Sequence, residues 1–256
     1  MATAERAMTP DRVTEEAGYI KRFDVHQIVQ HAGMIASFIV LAVTGLPMKF
    51  ATWSLSQWWI GALGGYDSVR TIHHLAAYIM VFICLYHAVY LFINIVIRKK
   101  PFPRRMVPSR QDIRDFYHEM LYYFGKRPEP PHFDRFNWRQ KFDYWAIFWG
   151  MPVMGLSGFI LMFPVLVTDF LPGWVVPVAL VAHSHEAILA VAWIVIVHFF
   201  FSHMLPGLFP LNKVIFTGKT TRKIYAHEHP LEYRRIAGDA GRPESGEGEA
   251  PAEEAS

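Results

Sequence analysis

Four stretches of this chain are long, apolar and almost free of charge, and no other feature limits its fold as strongly. They run from Ile28 to Met48, from Ile72 to Ile97, from Tyr144 to Val167 and from Val176 to Leu205. Each exceeds the roughly 20 residues with which an α-helix crosses a hydrocarbon core of about 30 Å. No Asp, Glu, Lys or Arg lies between Asp24 and Lys49 or between Arg70 and Arg98, and from Tyr144 to Asn212 only Asp169 and Glu186 are charged. Core helices of soluble proteins are neither this long nor this clean. The hydrophobic share of 52% and aromatic share of 15% fit the same reading. A signal peptide is excluded for the first stretch, which starts late, runs long, lacks a small-residue cleavage motif and is followed by further spans. The expected fold class is all-α, an integral membrane four-helix bundle with spans at about 28–50, 70–98, 142–168 and 175–205.

The formal net charge of +3 hides an uneven distribution. Lys and Arg crowd the N-terminal segment (Arg6, Arg12, Lys21, Arg22), the loop between spans two and three (Arg98 to Lys141) and the C-terminal segment (Lys213 to Arg242). The other two loops hold only Lys49 and Arg70, at span ends. By the positive-inside rule both termini are expected to be cytoplasmic. Basic residues flanking spans need no nucleic acid to explain them, and none is expected as a partner.

The chain divides into a polar N-terminal segment (1–20), a four-span domain (21–236) and a tail (237–256) whose Gly, Pro, Glu and Ala content predicts disorder. Trp53, Trp58, Trp59 and Trp174 lie in the two weakly charged loops and suit anchoring at a membrane interface. In the basic loop Pro101, Pro103 and Pro108 end the second span. Ser109 and Asp112 then predict the capped start of a short helix reaching about Phe124. The one cysteine, Cys84, excludes an internal disulfide, a Cys-x-x-Cys-His heme attachment and an iron–sulfur cluster ligated by this chain alone.

Eight of the 13 histidines fall in or at the ends of spans: His31, His73, His74, His87, His183, His185, His198 and His203. Ionisable side chains there are costly and usually functional. His73 and His87 are fourteen residues apart, which at about 100° and 1.5 Å per residue places them on nearly one helix face, about 21 Å apart in depth. His183 and His198, fifteen apart, differ by about 60° of rotation and about 22 Å of depth. Two helices thus each present an imidazole near either membrane surface, which suits two non-covalent b-type hemes, each with an axial nitrogen on both sides of its iron. At the cytoplasmic level three imidazoles, His31, His87 and His198, compete for two positions. Helical symmetry alone selects His87 with His198. His74 and His185, thirteen residues from His87 and His198, are rotated by about 140° from them, as His203 is from His198; the first two suit interfacial hydrogen bonding, and His203 suits contact with a heme ligand or a quinone. Gly33, Gly45, Gly150, Gly155 and Gly158 open two readings: close approach of a porphyrin to the backbone, or tight helix packing in lipid.

Three other classes use histidines or spans in this way. A di-iron oxygenase or desaturase needs its histidines clustered at one depth, whereas these divide between two. A proton-coupled transporter needs more spans and a central polar site. A heme-free anchor has no use for paired histidines. No nucleotide-binding glycine motif or metal-hydrolase motif is present, so no catalytic residue for substrate chemistry is expected in this chain.

Beyond the histidines, His31 precedes Thr44-Gly45-Leu46 by thirteen to fifteen residues, Arg70 precedes His73 by three, and Phe136-Asn137-Trp138-Arg139-Gln140-Lys141 introduces the third span. His229-Pro230-Leu231-Glu232-Tyr233-Arg234 follows the fourth. In order and spacing these resemble the di-heme cytochrome b (gamma) subunits of membrane-bound formate dehydrogenases and the related subunits of nickel–iron hydrogenases and thiosulfate reductases, over about residues 20–237. Arg139 stands where that pattern has glycine. The resemblance implies a bacterial inner-membrane protein carrying electrons between a quinone pool, menaquinone or ubiquinone, and a partner with an iron–sulfur or multiheme cytochrome c subunit. It implies an outer heme on His73 and His183, an inner heme on His31 and His198, and a quinone beside the inner heme near Asn137 and Gln140. His87 has no counterpart in that pattern. Asn137 and Gln140 are also the residue types that cap a helix, and that reading stays open.

Overall fold

The computed structural model describes residues 18–205 and 207–240. Most of the polar segment 1–20, including Arg6 and Arg12, and the tail beyond Ala240, including Arg242, lie outside the described residues. The protein is mostly helical, with four helices long and apolar enough to cross a membrane: Val25–Lys49, Tyr66–Ile97, Trp138–Met162 and Val175–Met204.

Local chemistry sets where the spans begin. Helix α1 (Val25–Lys49) opens on a capping box in which the Asp24 carboxylate accepts from Gln27 N at 2.9 Å while the Gln27 side chain accepts from Asp24 N at 3.0 Å. A short helix α2 (Ser54–Ala62) carries Trp58 and Trp59 across the first connection, and Trp59 Nε1 donates to Val43 O at 2.8 Å. Gly64 and Gly65, at φ of 90° and 94°, make the turn into α3 (Tyr66–Phe92), a conformation that residues with a Cβ rarely adopt. The span continues through a π-helical turn, Ile93–Ile97.

In the basic loop α4 (Arg110–Tyr123) starts at Ser109, whose backbone N–H donates to the Asp112 carboxylate at 2.6 Å. This is the short helix expected there. Helix α5 (Trp138–Met162) opens on a second capping box, Asn137 with Gln140, at 2.9 and 3.2 Å. It ends earlier than the expected 168. Pro164 lacks an N–H and its ring crowds the carbonyl four residues back, so the chain breaks at Phe163 and resumes as α6 (Pro164–Thr168). Helix α7 (Val175–Trp193) runs on through two π-helical turns, Ile194–His198 and Phe200–Met204.

An extramembrane cap follows: α8 (Val214–Thr217), a ribbon of β1 (Tyr19–Lys21) against β2 (Lys219–Thr221), α9 (Arg222–Glu228) and α10 (Pro230–Ala240). The ribbon is the departure from an all-α chain, and α10 carries helix past Ala237, where the tail was expected to begin. Gly218 permits it: Arg22 N and Phe23 N donate to its carbonyl at 2.7 and 3.1 Å, and a Cβ there would lie 2.5 Å from Phe23 O. The ribbon also brings the two described ends of the chain to one end of the bundle, the end rich in Lys and Arg.

Buried polar contacts lock this cap. Arg22 donates to Arg135 O at 3.1 Å, to Tyr225 Oη at 3.0 Å and to His229 Nε2 at 3.3 Å, while His229 Nδ1 donates to Asp134 O at 2.6 Å. Tyr225 and His229 are each 1% exposed. Burial first, and then the Arg22 charge, push the His229 imidazole down to about 3. Arg139 forms a buried ion pair with Glu119, which also accepts from Trp138 Nε1 at 2.7 Å and Tyr123 Oη at 3.1 Å. Removing one partner of such a pair costs about 3–5 kcal/mol, so α4 is firmly tied to the start of α5.

Within the bundle α3 packs along α1, α1 touches α7, and α7 packs along α5. The α3/α5 seam is the loosest of the four.

Candidate functional site

Two pairs of imidazoles face each other across the bundle at opposite ends. His73 of α3 faces His183 of α7 with ring centres 6.3 Å apart, and His31 of α1 faces His198 with ring centres 6.4 Å apart. The second pair lies at the Lys/Arg-rich end. The fifteen-residue spacing of His183 and His198 works because the π turn ending at His198 rotates less per residue than an α-helix, which takes back part of the 60° offset. His87 does not join that pair. Its Nδ1 is 2.8 Å from Gln30 Oε1 and its Nε2 3.3 Å from Tyr144 Oη, with its ring packed edge-on to Tyr144. The symmetrical choice of His87 with His198 fails because α1, not α3, brings its histidine opposite His198.

Three of the four rings have a hydrogen-bond partner at Nδ1. The Thr44 hydroxyl donates to Val40 O at 2.6 Å, so its oxygen accepts from His73 Nδ1, 2.9 Å away. The Ser157 hydroxyl donates to Val153 O in the same way, and its oxygen accepts from His183 Nδ1 at 3.0 Å. At the other end Asp143, an acceptor as a carboxylate, takes His198 Nδ1 at 2.8 Å and Trp193 Nε1 at 2.6 Å. With Nδ1 so engaged, Nε2 is the nitrogen left to meet a metal in three of the four rings.

Two glycines complete the far-end pair. A Cβ at Gly45 would lie 3.1 Å from His73 Cε1, and one at Gly158 would lie 3.3 Å from His183 Cε1. Their use is thus to admit the histidine ring against the neighbouring helix. Gly33 serves helix packing, since a Cβ there would meet Ile83 at 2.6 Å; Gly155 has nothing within 4 Å. Gly150 leaves room for Glu186, whose Oε1 would be 3.2 Å from its Cβ.

The other expected residues have different surroundings. Asn137 and Gln140 cap α5 with their side-chain oxygens, and Gln140 lies one turn before Asp143 and Tyr144. His203 is buried and accepts from Asn212 N at 3.1 Å, folding the chain back after the fourth span. His185 Nδ1 turns back to Val181 O at 2.8 Å, and His74 lines a far-end cavity with Arg70 and Tyr78. Among the described residues no group of three or more His, Cys, Asp or Glu side chains is placed to hold a metal ion, the arrangement a di-iron centre requires.

The family model for prokaryotic cytochrome b561 matches residues 22–211. The chain belongs to that family. No curated protein matches it. It is therefore a membrane cytochrome b of electron transfer, in a family that binds b-type heme. The fit of this cytochrome b to heme is testable on the ring spacings. An iron ligated on both faces, with metal–nitrogen bonds of about 2.0–2.1 Å and each nitrogen about 1.1 Å from its ring centre, holds the ring centres about 6.2–6.4 Å apart. Both pairs fall in that range.

Sequence reasoning missed Asp143, Trp193 and Ser157. Ser157-Gly158 on the third span repeats Thr44-Gly45 on the first, and that repeat was the available signal. Asp143 was visible as an acid just inside a span, but its partner is 55 residues away.

Proposed function

We propose that this chain is the membrane subunit of a redox complex and holds two b-type hemes, one between His73 and His183 and one between His31 and His198. Electrons pass between a partner subunit, bearing iron–sulfur clusters or c-type hemes, at the far face and a quinone, menaquinone or ubiquinone, at the Lys/Arg-rich end. By the distribution of Lys and Arg, that end is cytoplasmic, and the resemblance to the formate dehydrogenase subunits implies the bacterial inner membrane. The observation that carries the reading is the equal spacing of two facing imidazole pairs, each at the separation an iron between them demands.

Heme b supplies one-electron iron chemistry, and the residues of this chain set its position and surroundings. Thr44, Ser157 and Asp143 orient the ring nitrogens, and Gly45 and Gly158 admit the far-end rings. Asn137 and Gln140 place amides at the mouth of the Lys/Arg-rich end, where side-chain NH2 groups suit donation to a quinone carbonyl while their oxygens cap α5. Pyridine hemochrome against protein concentration tests the heme count. Two hemes per chain are expected; a ratio near one, or heme retained covalently, refutes the two-heme reading.

A further inference from the structure

The basic loop between the second and third spans holds an amphipathic helix, α4, whose apolar side is turned outward. Ile113, Tyr117 and Phe124, the last at its C-terminal end, are 71%, 65% and 76% exposed. At about 100° and 1.5 Å per residue these three fall within roughly 40° of one another and extend over about 16 Å of helix. Arg110 and Arg114, both exposed, border the stripe on one side.

Another side of α4 is committed to the bundle, and its partners fix the depth of the helix. Glu119 pairs with Arg139, Asp112 lies 2.8 Å from Lys141 Nζ, and the Phe116 ring meets Trp138 edge-on at 4.9 Å. Trp138, Arg139 and Lys141 form the first turn of α5, the third span. The Tyr123 ring is 6.3 Å from that of Phe201, in the last π turn of the fourth span. Two spans therefore hold α4 at the level where they enter the hydrocarbon, and that is where its apolar stripe is exposed.

We propose that α4 is an in-plane membrane anchor, with Ile113, Tyr117 and Phe124 at the boundary of headgroups and acyl chains and with Arg110 and Arg114 on the phosphates of anionic lipids. An apolar stripe bordered by arginine is the pattern of helices that lie in a membrane interface, where the long side chains reach up to the headgroups. Charge selects the same occupant. Arg98, Lys99, Lys100, Lys126 and Arg127 are exposed in the same loop and carry the same sign, so an acidic lipid surface attracts the whole segment. A second copy of the chain meeting it face to face would set like charges against each other. Through Glu119 and Arg139 the anchor fixes the height at which α5 begins. The inference needs only the membrane spans and is independent of the quinone reading.

The test uses the full chain with its hemes in vesicles of equal parts phosphatidylcholine and phosphatidylglycerol. In a Cys84→Ala background a nitroxide is attached to Ile113→Cys, Tyr117→Cys or Phe124→Cys, with Gln111→Cys on the polar side of α4 as the control. Power saturation in electron paramagnetic resonance compares oxygen, which concentrates among acyl chains, with a water-soluble nickel chelate. Oxygen is expected to be the stronger relaxant at 113, 117 and 124, and the chelate at 111. A chelate that is stronger at all four positions overturns the anchor, and so does shielding of 113, 117 and 124 from both relaxants, which a covering protein would produce. Photolabelling of the wild type with diazirine lipids tests the headgroup contact: phosphatidylglycerol is expected to label residues 110–124 about fivefold more than phosphatidylcholine, and Arg110→Gln with Arg114→Gln to bring the two to parity. Equal labelling of the wild type by the two lipids refutes the contact with anionic headgroups. Should a cysteine variant lose heme, the wild-type labelling decides alone, and label in the spans with none in 110–124 overturns the anchor.

Discussion

Replacing Asp143 by Asn keeps the shape of the side chain and removes its charge, which makes it a sharp probe of the centre at the Lys/Arg-rich end. His198 Nδ1 is 2.8 Å from the Asp143 carboxylate. The opposite ring nitrogen lies about 2.2 Å further on, so an iron bound there at about 2.0 Å is roughly 6–7 Å from the carboxylate. At an effective dielectric constant of about 20, unit charges at that separation interact by about 2.5 kcal/mol. With about 1.4 kcal/mol and about 59 mV for each tenfold change in a one-electron equilibrium, this is roughly 100 mV. The carboxylate favours the ferric state, so Asp143→Asn raises the potential of this heme. Partial exposure of the two side chains, 28% and 22%, trims the expected shift to about 50–100 mV. The far-end heme, about 21 Å away in depth, moves by about 30 mV or less. Potentiometric titration of the α-bands measures both. Equal shifts of the two hemes, or no shift of either, would refute the role given to Asp143. Ser157→Ala removes a neutral partner from His183 and is expected to shift only the far-end heme, and by less.

Further outcomes follow from the same geometry. His31→Ala is expected to abolish the low-spin spectrum of the heme at the Lys/Arg-rich end and His87→Ala to keep it; the reverse result overturns the assignment. Gly158→Ala presses a methyl group to 3.3 Å from His183 Cε1, and heme analysis should show far-end heme reduced in occupancy with the other heme retained. Gln140→Ala breaks the α5 capping box at a cost of about 1 kcal/mol and should slow quinol turnover while both hemes remain; unchanged turnover removes it from the quinone site. His229 is neutral in the folded cap down to about pH 3, while the unfolded chain takes up its proton near 6.5. Cap stability is therefore full above pH 6.5 and falls by about 1.4 kcal/mol per unit as pH drops toward 3, a slope that His229→Gln should flatten in pH-dependent proteolysis of the C-terminal segment. Reporter fusions at Arg110 and the C-terminus should register the cytoplasm and one at Gly64 the periplasm.

How much of this was legible in the sequence depends on the range over which each interaction acts. The spans were legible because their signal is a local run of apolar residues, and the starts of α4 and α5 because Ser109 with Asp112 and Asn137 with Gln140 are cap pairs three residues apart. The end of the third span was misplaced at 168, since hydropathy runs smoothly through Pro164 and only the backbone requirement of proline breaks it. The histidines were legible as a set, because their spacing along single helices is a one-dimensional fact. Their pairing was not: helical symmetry compared His87 with His198 along depth alone, and only the packing order α3–α1–α7–α5 shows that α1 is the helix facing His198. The partners of the rings escaped for the same reason. Asp143 and His198, or Ser157 and His183, meet through the packing of α5 on α7, and no periodicity within either helix encodes that contact. Arg139, which departs from the glycine of the family pattern, becomes intelligible only when Glu119 on α4 is seen to neutralise it. A charge at that position thus requires the loop helix to be in place, and it ties the basic loop to the membrane end at which the quinone is proposed to react.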